Sequence, residues 1–301
     1  TGAIREAPAV SPARVLSDEY ASFLQEVRGC AASTISHHRL ASRCFLDHLE
    51  SSSVALGSVQ PGDIEAYITN ASNRMCRASL QHEIAAVRGL LRYFAADGRV
   101  RTGLDRLIVT LRLYRLEQLP RALSWDTVTT LLKSIDKKSG MGLRDYAMFL
   151  LIATYGLRAS EVVAISLDDI RWRQGSLRIH QRNTSSPLEL PLTNEVSAAL
   201  VKHLQRTPPV APYRKVFLRM RAPIGLLKPT AITEAFQSLV RKSGLEIPFH
   251  GPHCLRHSVA VQLLKNGTPL KTIGDILGHR IAESTAVYLR LATGDLREVS
   301  L

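Results

Sequence analysis

The chain has 301 residues, 45% of them hydrophobic and 22% charged, which is a globular composition with room for about two domains. This composition excludes a disordered or fibrous chain, and no stretch approaches the roughly 18 consecutive apolar residues that a membrane span requires. The net charge is +13, and such a surplus predicts a polyanionic partner. All of it lies in residues 101–301, because residues 1–100 hold ten Arg, no Lys and ten acidic residues.

The first hundred residues show helical periodicity and no convincing strand. We expect residues 1–13 to be a flexible leader, because they contain Ala and Pro but no apolar run. The rest, residues 14–98, is predicted to form a four-helix unit. Its helices are predicted to begin near Ser17, Ala32, Pro61 and Ala78.

Residues 99–122 carry six Arg against one Asp and one Glu. This composition predicts a basic linker between two domains. A basic linker can lie along a phosphate backbone, whereas an ordinary connector needs no ligand, and the sequence is compatible with both interpretations.

The second domain is predicted over residues 123–301, including a C-terminal tail. Ser124 is a candidate helix N-cap, and a long apolar helix ends at Gly156. Residues 176–180 and 188–192 alternate between apolar and polar side chains, which predicts a β-hairpin. Because helical patterns flank the hairpin on both sides, the predicted fold class is mainly α with a small β-sheet or hairpin.

Five side chains of the second domain form a candidate catalytic set. Arg158 follows a glycine at a helix end, His253 and Arg256 share one face of a helical turn, and His279 and Tyr288 come later. Two guanidinium forks suit the nonbridging oxygens of a phosphodiester. A tyrosine hydroxyl, with an ordinary pKa of about 10, needs such a positive pocket to attack as a phenolate. The set therefore predicts phosphodiester chemistry.

Metal binding by His253, His257 and His279 is the competing interpretation. No carboxylate lies at ligand spacing, and the neighbouring arginines would repel a cation. The sequence also lacks an Asp/Glu cluster of the kind that holds Mg²⁺. We therefore expect neither a metal nor another cofactor.

These residues lie in segments that resemble the tyrosine recombinases of the phage integrase family, especially their compact Xer-like class. The matching segments are TYGLRASEVVAISLDDI, HCLRHSVAVQLLKNGTPLKTIGDILGH and STAVYLRL, which cover much of residues 145–291. In the first domain, STISHHRLASRCFLDHL and ASLQHEIAAVRGLLRYF are similar to the family's core-binding domain. The resemblance implies an N-terminal four-helix, SAM-like core-binding domain and a C-terminal tyrosine-recombinase catalytic domain.

The resemblance also implies a role for each residue of the set. Arg158 and Arg256 would clamp the scissile phosphate, and His253 would donate to a nonbridging oxygen and assist proton transfer. His279 would bind the phosphate or orient the site. Tyr288 would form a 3′-phosphotyrosine, which conserves the bond energy for rejoining without ATP or metal. The supporting residues would be Glu161 and His257.

The hairpin turn departs from the family pattern. The family usually places a Lys there as general acid for the leaving 5′-oxygen, but residues 180–186 read HQRNTSS. The position of the Lys falls near Asn183 or Arg182, and an arginine is a poor acid because it barely deprotonates. We expect an active enzyme in which another group replaces this acid.

The implied partner is double-stranded DNA with a specific recombination site, gripped by both domains. The family's chain end docks on a neighbouring protomer, which implies a homo- or hetero-tetramer on DNA, and helper proteins are a further expectation. For the residues after Tyr288, a frayed chain end is as compatible with the sequence as docking on a neighbouring protomer. The candidate DNA contacts of the first domain are Thr34, Arg39, Arg77 and Arg88.

The cysteine pattern bears on the compartment. The four cysteines are scattered and form no CxxC pair, which favours a reduced protein over a disulfide framework. We expect a cytoplasmic protein associated with the nucleoid and no membrane partner.

Two other functions are compatible with the same residues. The first is a DNA-binding accessory subunit that does not cut by itself, which the absent Lys favours and the intact Arg, His and Tyr set opposes. The second is DNA relaxation of the type IB topoisomerase kind, which shares the chemistry without strand exchange. The compact length argues mildly against it.

Overall fold

The computed structural model describes residues 11–109, 120–181, 187–208, 212–278 and 283–289. The chain divides into two compact units, Thr1–Glu117 and Gln118–Leu301. Each unit has a hydrophobic core of its own. The mainly α class with a small sheet agrees with the prediction.

The first unit consists of helices. Its first helix begins at Pro12, earlier than the predicted start near Ser17, because the Ser11 hydroxyl accepts from a first-turn backbone N–H and proline suits a helix start. Residue 13, predicted as part of the leader, is therefore helical and buried. The helices are α1 Pro12–Glu26, α2 Ala32–Ser51, α3 Pro61–Ser72, α4 Arg77–Ala96 and α5 Leu104–Leu107.

The core of the first unit extends beyond the predicted limit at residue 98. Phe45 and Phe94 are fully buried at its centre. Val100, Leu104 and Ile108 pack into the same core, although they lie in the range predicted as a linker. These three apolar side chains are four residues apart, so they can reach the same side of the bundle. The start of the predicted linker is therefore part of the first unit's core.

The second unit combines helices with a three-stranded antiparallel sheet of order β1-β2-β3. The predicted hairpin is β2–β3, and its register pairs Leu177 with Leu190. The short β1, which the sequence did not indicate, pairs Ile170 with Leu177. The strands are β1 Ile170–Arg171, β2 Ser176–Ile179 and β3 Leu188–Pro191.

A buried helix, α7, lies at the centre of the second core. It is apolar on all sides from residue 147 to residue 153, which is typical of a helix surrounded by protein. The predicted N-cap at Ser124 is present, since its hydroxyl accepts from the Thr127 backbone N–H at 3.1 Å. The helices are α6 Trp125–Lys133, α7 Gly140–Tyr155, α8 Ala159–Ala164, α9 Asn194–Arg206, α10 Pro229–Ser243, α11 His253–Lys265, α12 Leu270–Leu277 and α13 Glu283–Ala286.

Two helix ends bring backbone segments close together. α7 ends at Gly156, whose φ of 66° is left-handed, and a Cβ there would lie 2.6 Å from Leu277 Cδ2. α12 ends at Gly278, whose φ is 60°, and a Cβ there would lie 2.6 Å from Gln181 Oε1. Only glycine allows both the conformation and the close approach. The ends of α7, α12 and β2 therefore meet in one place.

No helix within the described ranges is long and apolar enough to cross a membrane.

Candidate active site

Arg158 is held at the start of α8 by a buried carboxylate. The Arg158 backbone N–H donates to Glu161 Oε2 at 2.8 Å, and its Nη1 donates to Glu161 Oε1 at 2.8 Å. The Glu161 side chain is 1% exposed, whereas that of Arg158 is 26% exposed. Glu161 therefore fixes both ends of Arg158 while the guanidinium remains partly open to solvent.

Arg256 is almost completely buried on α11, at 2% exposure. Its Nη1 donates to the carbonyl of Gly156 and its Nη2 to the carbonyl of Leu277. Burial lowers the pKa of Arg256 to about 10, and the charge of Arg158 acts in the same direction. A group with that pKa is protonated at neutral pH, so Arg256 is a fixed cation between two neutral acceptors.

The last turn of α12 connects these side chains. The carbonyls of residues 276–278 accept, in order, from Gln181 Nε2 at 3.2 Å, from Arg256, and from Arg158 Nη2 at 3.2 Å. The last carbonyls of a helix lack partners within it and favour cations. Both arginines and the end of β2 are thus tied to the turn immediately before His279.

Gln181 is a site residue that the sequence did not reveal. Its acceptor is a backbone carbonyl, and a backbone acceptor leaves no residue-type signal in the sequence. The nearest hint is Gly278, whose place after an apolar helix indicates a left-handed helix end but not the side chain that packs on it.

Tyr288 is buried beside the two arginines, at 1% exposure. It packs with Ala260, Ile273 and Leu277. Burial raises the pKa of its hydroxyl, while the charges of Arg256 and Arg158 oppose that rise. The structure thus brings the predicted nucleophile within the field of both predicted phosphate-binding cations.

Two histidines on the first turns of α11 complete the cluster. His257 Nδ1 lies 2.8 Å from Tyr288 Oη, and the two ring centroids are 5.6 Å apart. His253 packs edge-on against His257, with 4.5 Å between centroids. His253 is solvent-exposed, yet desolvation by the protein around it lowers its pKa, as do the charges of Arg256 and Arg158. A lowered pKa keeps His253 neutral at physiological pH, so it presents one N–H donor.

Some predicted residues are not part of this cluster. His279, Arg182 and Asn183 lie outside the described residues. In the first unit Thr34 and Arg77 are exposed, Arg39 pairs with Asp18 at 3.3 Å, and Arg88 Nη2 donates to a backbone carbonyl of its own unit. Arg88 thus supports the fold at residue 108, which the sequence prediction of a phosphate contact did not anticipate.

The metal interpretation finds no site in the part of the chain that the structure describes. No group of three or more His, Cys, Asp or Glu side chains is arranged there to hold a metal ion. His253 and His257 instead face an arginine pair and a tyrosine hydroxyl.

A helical domain with a small antiparallel sheet, two fixed arginines and a buried tyrosine defines a class of enzyme that works on phosphodiesters through tyrosine. Residues 121–294 match the model of the phage integrase family. The chain belongs to the phage integrase family, and the predicted identity as one of its tyrosine recombinases is confirmed.

Relatives cover nearly the whole chain. A protein of Sinorhizobium fredii named as an integrase/recombinase is 33% identical over 287 residues, covering 94% of this chain and 69% of the relative. The tyrosine recombinase XerD of Listeria monocytogenes is 28% identical over 293 residues, covering 94% of this chain and 96% of the relative.

Solved structures share the fold at lower identity. XerH site-specific recombinase, bound to palindromic difH substrate in a post-cleavage complex, has a TM-score of 0.70 at 17% identity, covering 94% of this chain and 84% of that one. A lambda integrase tetramer bound to a Holliday junction has a TM-score of 0.67 at 17% identity, covering 93% and 78%. The predicted fold is therefore that of tyrosine recombinases.

Proposed function

We propose that the protein is a site-specific DNA recombinase that cuts and rejoins strands through a 3′-phosphotyrosine on Tyr288. The observation that carries this proposal is the position of the Tyr288 hydroxyl, 2.8 Å from His257 Nδ1 and close enough to Arg158 and Arg256 for their charges to act on it. A nucleophile next to cations is the arrangement that attack on a phosphate anion requires.

Arg158 and Arg256 bind the scissile phosphate in this proposal. Their acceptors from α12 and α7 are neutral carbonyls, and each guanidinium has five N–H donors, so donors and positive charge remain for phosphate oxygens. Phosphate adds charge-assisted bonds, which are about twice as strong as neutral ones. His253 donates its N–H to a nonbridging oxygen, and His279 binds the phosphate or orients the site.

The reaction is a phosphoryl transfer that keeps the number of phosphodiester bonds constant. Tyr288 Oη bonds to phosphorus while the bond from phosphorus to the 5′-oxygen breaks, which releases a 5′-hydroxyl. The 5′-hydroxyl of another strand then attacks the phosphotyrosine and regenerates Tyr288. Neither step consumes ATP, since the phosphotyrosine retains the energy of the broken ester.

The leaving 5′-oxygen needs a proton, and the hairpin turn has no Lys to supply it. This is the observation that favours the second candidate function, an accessory subunit of a recombination complex that binds DNA and does not cut alone. The intact Tyr288 and both arginines favour the active enzyme. The relatives described above carry recombinase and integrase names, which favours strand exchange over DNA relaxation by a topoisomerase.

The substrate is double-stranded DNA carrying a specific recombination site, bound by four protomers. This follows the XerH and lambda integrase complexes, one with its difH substrate and one as a tetramer on a Holliday junction. The proposal covers integration, excision, transposition and dimer resolution as biological outcomes. Helper proteins, a hetero-tetramer and a cytoplasmic location at the nucleoid belong to the same proposal.

Covalent trapping tests the function. Purified protein is incubated with fragments of the DNA that flanks its own gene, each strand nicked so that a cut end diffuses away, and adducts are separated under denaturing conditions and sequenced. We expect one cleavage sequence with the wild type, none with Tyr288→Phe, and an adduct with Arg182→Ala if that residue is outside the mechanism.

Two other outcomes would support the alternative functions. Tight binding to one sequence without any adduct supports the accessory subunit. Relaxation of a supercoiled plasmid that lacks that sequence supports the topoisomerase alternative.

A further inference from the structure

We propose that His257 is a catalytic residue: its Nδ1 accepts the hydroxyl proton of Tyr288 as Tyr288 attacks the phosphate, and returns that proton on rejoining. The inference rests on the proposed function and assigns the general base of that reaction. It goes beyond the family-based expectation, in which His257 only supports the site and His253 assists proton transfer.

The geometry of the pair is that of a nucleophile and its base. Nδ1 and Oη are 2.8 Å apart, within the hydrogen-bond distance at which a general base takes a proton. His257 immediately follows Arg256 on α11, and Arg256 is anchored at two carbonyls. The imidazole is therefore carried by a fixed helical turn next to a phosphate-binding cation.

Tyr288 needs a base because its surroundings disfavour the phenolate. Burial is the largest influence on the hydroxyl and raises its pKa, and the two arginines compensate only in part. A buried phenol of this kind is neutral at physiological pH and attacks efficiently when its proton is removed as the bond to phosphorus forms.

His257 suits this task better than His253. Both rings lie on the same helical face, but His257 is the one whose nitrogen is paired with the Tyr288 hydroxyl. His253 stands on the solvent-exposed side of His257, where it is able to donate to a phosphate oxygen. The two histidines thus divide the work, with one on the phosphate and one on the nucleophile.

The step balances in both directions. In cleavage the Oη–H bond breaks, Oη bonds to phosphorus, the proton moves to Nδ1 and the electron pair of the broken ester bond leaves with the 5′-oxygen, which takes a proton from water. In rejoining, a 5′-hydroxyl loses its proton to water and attacks, while the imidazolium returns its proton to the departing Tyr288 oxygen.

The kinetic test uses the full chain and the DNA fragment captured by trapping. His257→Asn keeps a hydrogen-bonding side chain but has no basic nitrogen. We expect it to bind the fragment as the wild type does and to form the adduct about 100-fold more slowly in single turnover. His257→Gly should be similarly slow and regain rate with added imidazole, an effect that a merely structural role would not produce. His250→Asn, at an exposed histidine of the same unit, is the matched control and should react at the wild-type rate. A wild-type adduct rate in His257→Asn overturns the inference.

A second measurement needs no DNA. The ¹⁵N resonance of His257 Nδ1 is compared between the wild type and Tyr288→Phe. We expect it to move, because the variant removes the hydroxyl that is bonded to this nitrogen. An unchanged resonance overturns the inference, whereas failure of the wild type to form any adduct contradicts the proposed function instead.

Discussion

Arginines of the first unit and arginines of the site have different partners. Arg99 contacts the carboxylates of Glu19 and Asp97, and Arg39 contacts Asp18. At the site, Arg256 donates to two backbone carbonyls, and Arg158 donates to the Glu161 carboxylate and to one backbone carbonyl. Carboxylates bind the first set directly, whereas the direct partners of Arg256 are carbonyls and the nearby Glu161 carboxylate acts on it only through its charge.

The uneven charge of the chain is consistent with this difference. Residues 1–100 are neutral because their arginines and acids are equal in number, and Arg39 and Arg99 are two of the arginines that meet an acid. A phosphate approaching Arg99 must compete with two directly bound carboxylates, but the groups bound directly to Arg256 are two neutral carbonyls. In the proposed function Arg256 is therefore open to an anion, whereas Arg39 and Arg99 of the first unit are paired with acids.

Replacing Tyr288 with Phe is expected to have the largest effect. The variant keeps the buried ring and both arginines but removes the oxygen proposed as the nucleophile, so adduct formation should fall below detection while DNA affinity is retained. The free energy of unfolding should fall by about 1 kcal/mol, the usual value of one hydrogen bond. Denaturing gels and chemical denaturation measure the two quantities. A residual adduct would place the nucleophile on another side chain.

Arg256→Ala and Arg99→Ala test the comparison of arginines directly. Loss of Arg256 should slow adduct formation by about 100- to 1,000-fold, as when a donor is removed from an oxyanion site. It should also lower the free energy of unfolding by about 1–3 kcal/mol, because two buried carbonyls lose their donors.

The control, Arg99→Ala, should destabilise the protein and leave the rate of adduct formation unchanged. Equal effects of both variants on the rate would contradict the division between structural and phosphate-binding arginines. Single-turnover kinetics on the trapped DNA fragment make the distinction.

The residues of the candidate site could be selected from residue types, but the backbone groups that hold them could not. Arg158, His253, Arg256 and Tyr288 have distinctive chemistry, and the structure places them together. The supports are the carbonyls of residues 276–278 and Gly156, and every residue has a carbonyl, so no pattern marks the ones that are used.

The errors at element boundaries come from tertiary contacts and from elements that are too short to show a pattern. Ser11 and Ser17 are both plausible N-caps, and the choice of Ser11 depends on Pro12 and on burial of Ala13 in the core, which are tertiary effects. α5 and β1 have four and two residues, too few for a periodic pattern to appear. Long amphipathic helices such as α2 were predictable because their pattern repeats.

Gly278→Ala tests whether the end of α12 organises the site. Alanine at a φ of 60° should cost about 1–2 kcal/mol of stability, and its Cβ would meet the Gln181 side chain. Gly244→Ala is a matched control, because Gly244 has a φ of 67° and nothing lies within 4 Å of a Cβ built there.

Backbone strain should therefore lower the free energy of unfolding by a similar amount in both variants. Gly278→Ala should lose a further amount because its Cβ meets the Gln181 side chain. Only Gly278→Ala should slow adduct formation, since Arg158 and Arg256 donate to the same turn. Equal rates in the two variants would show that this turn is not needed to position the arginines.

The smallest effect is expected at Glu19 and depends on pH. Hydrogen bonds from Arg99 and Tyr93 lower the pKa of Glu19 from 4.5 to about 2 in the folded chain. A carboxylate whose pKa is lowered by folding stabilises the protein fully above its unfolded value and loses that contribution as the pH falls toward its folded value. The wild type should therefore have a higher Tm than Glu19→Gln at pH 7, and the difference should shrink between about pH 5 and pH 2. The pair is partly exposed, so solvent screens it and the difference should be small. Thermal unfolding followed by far-ultraviolet circular dichroism measures it. A difference that stays constant over that pH range would mean that Arg99 does not hold Glu19 ionised. The pairing with carboxylates would then be too weak to distinguish the arginines of the first unit from those of the site.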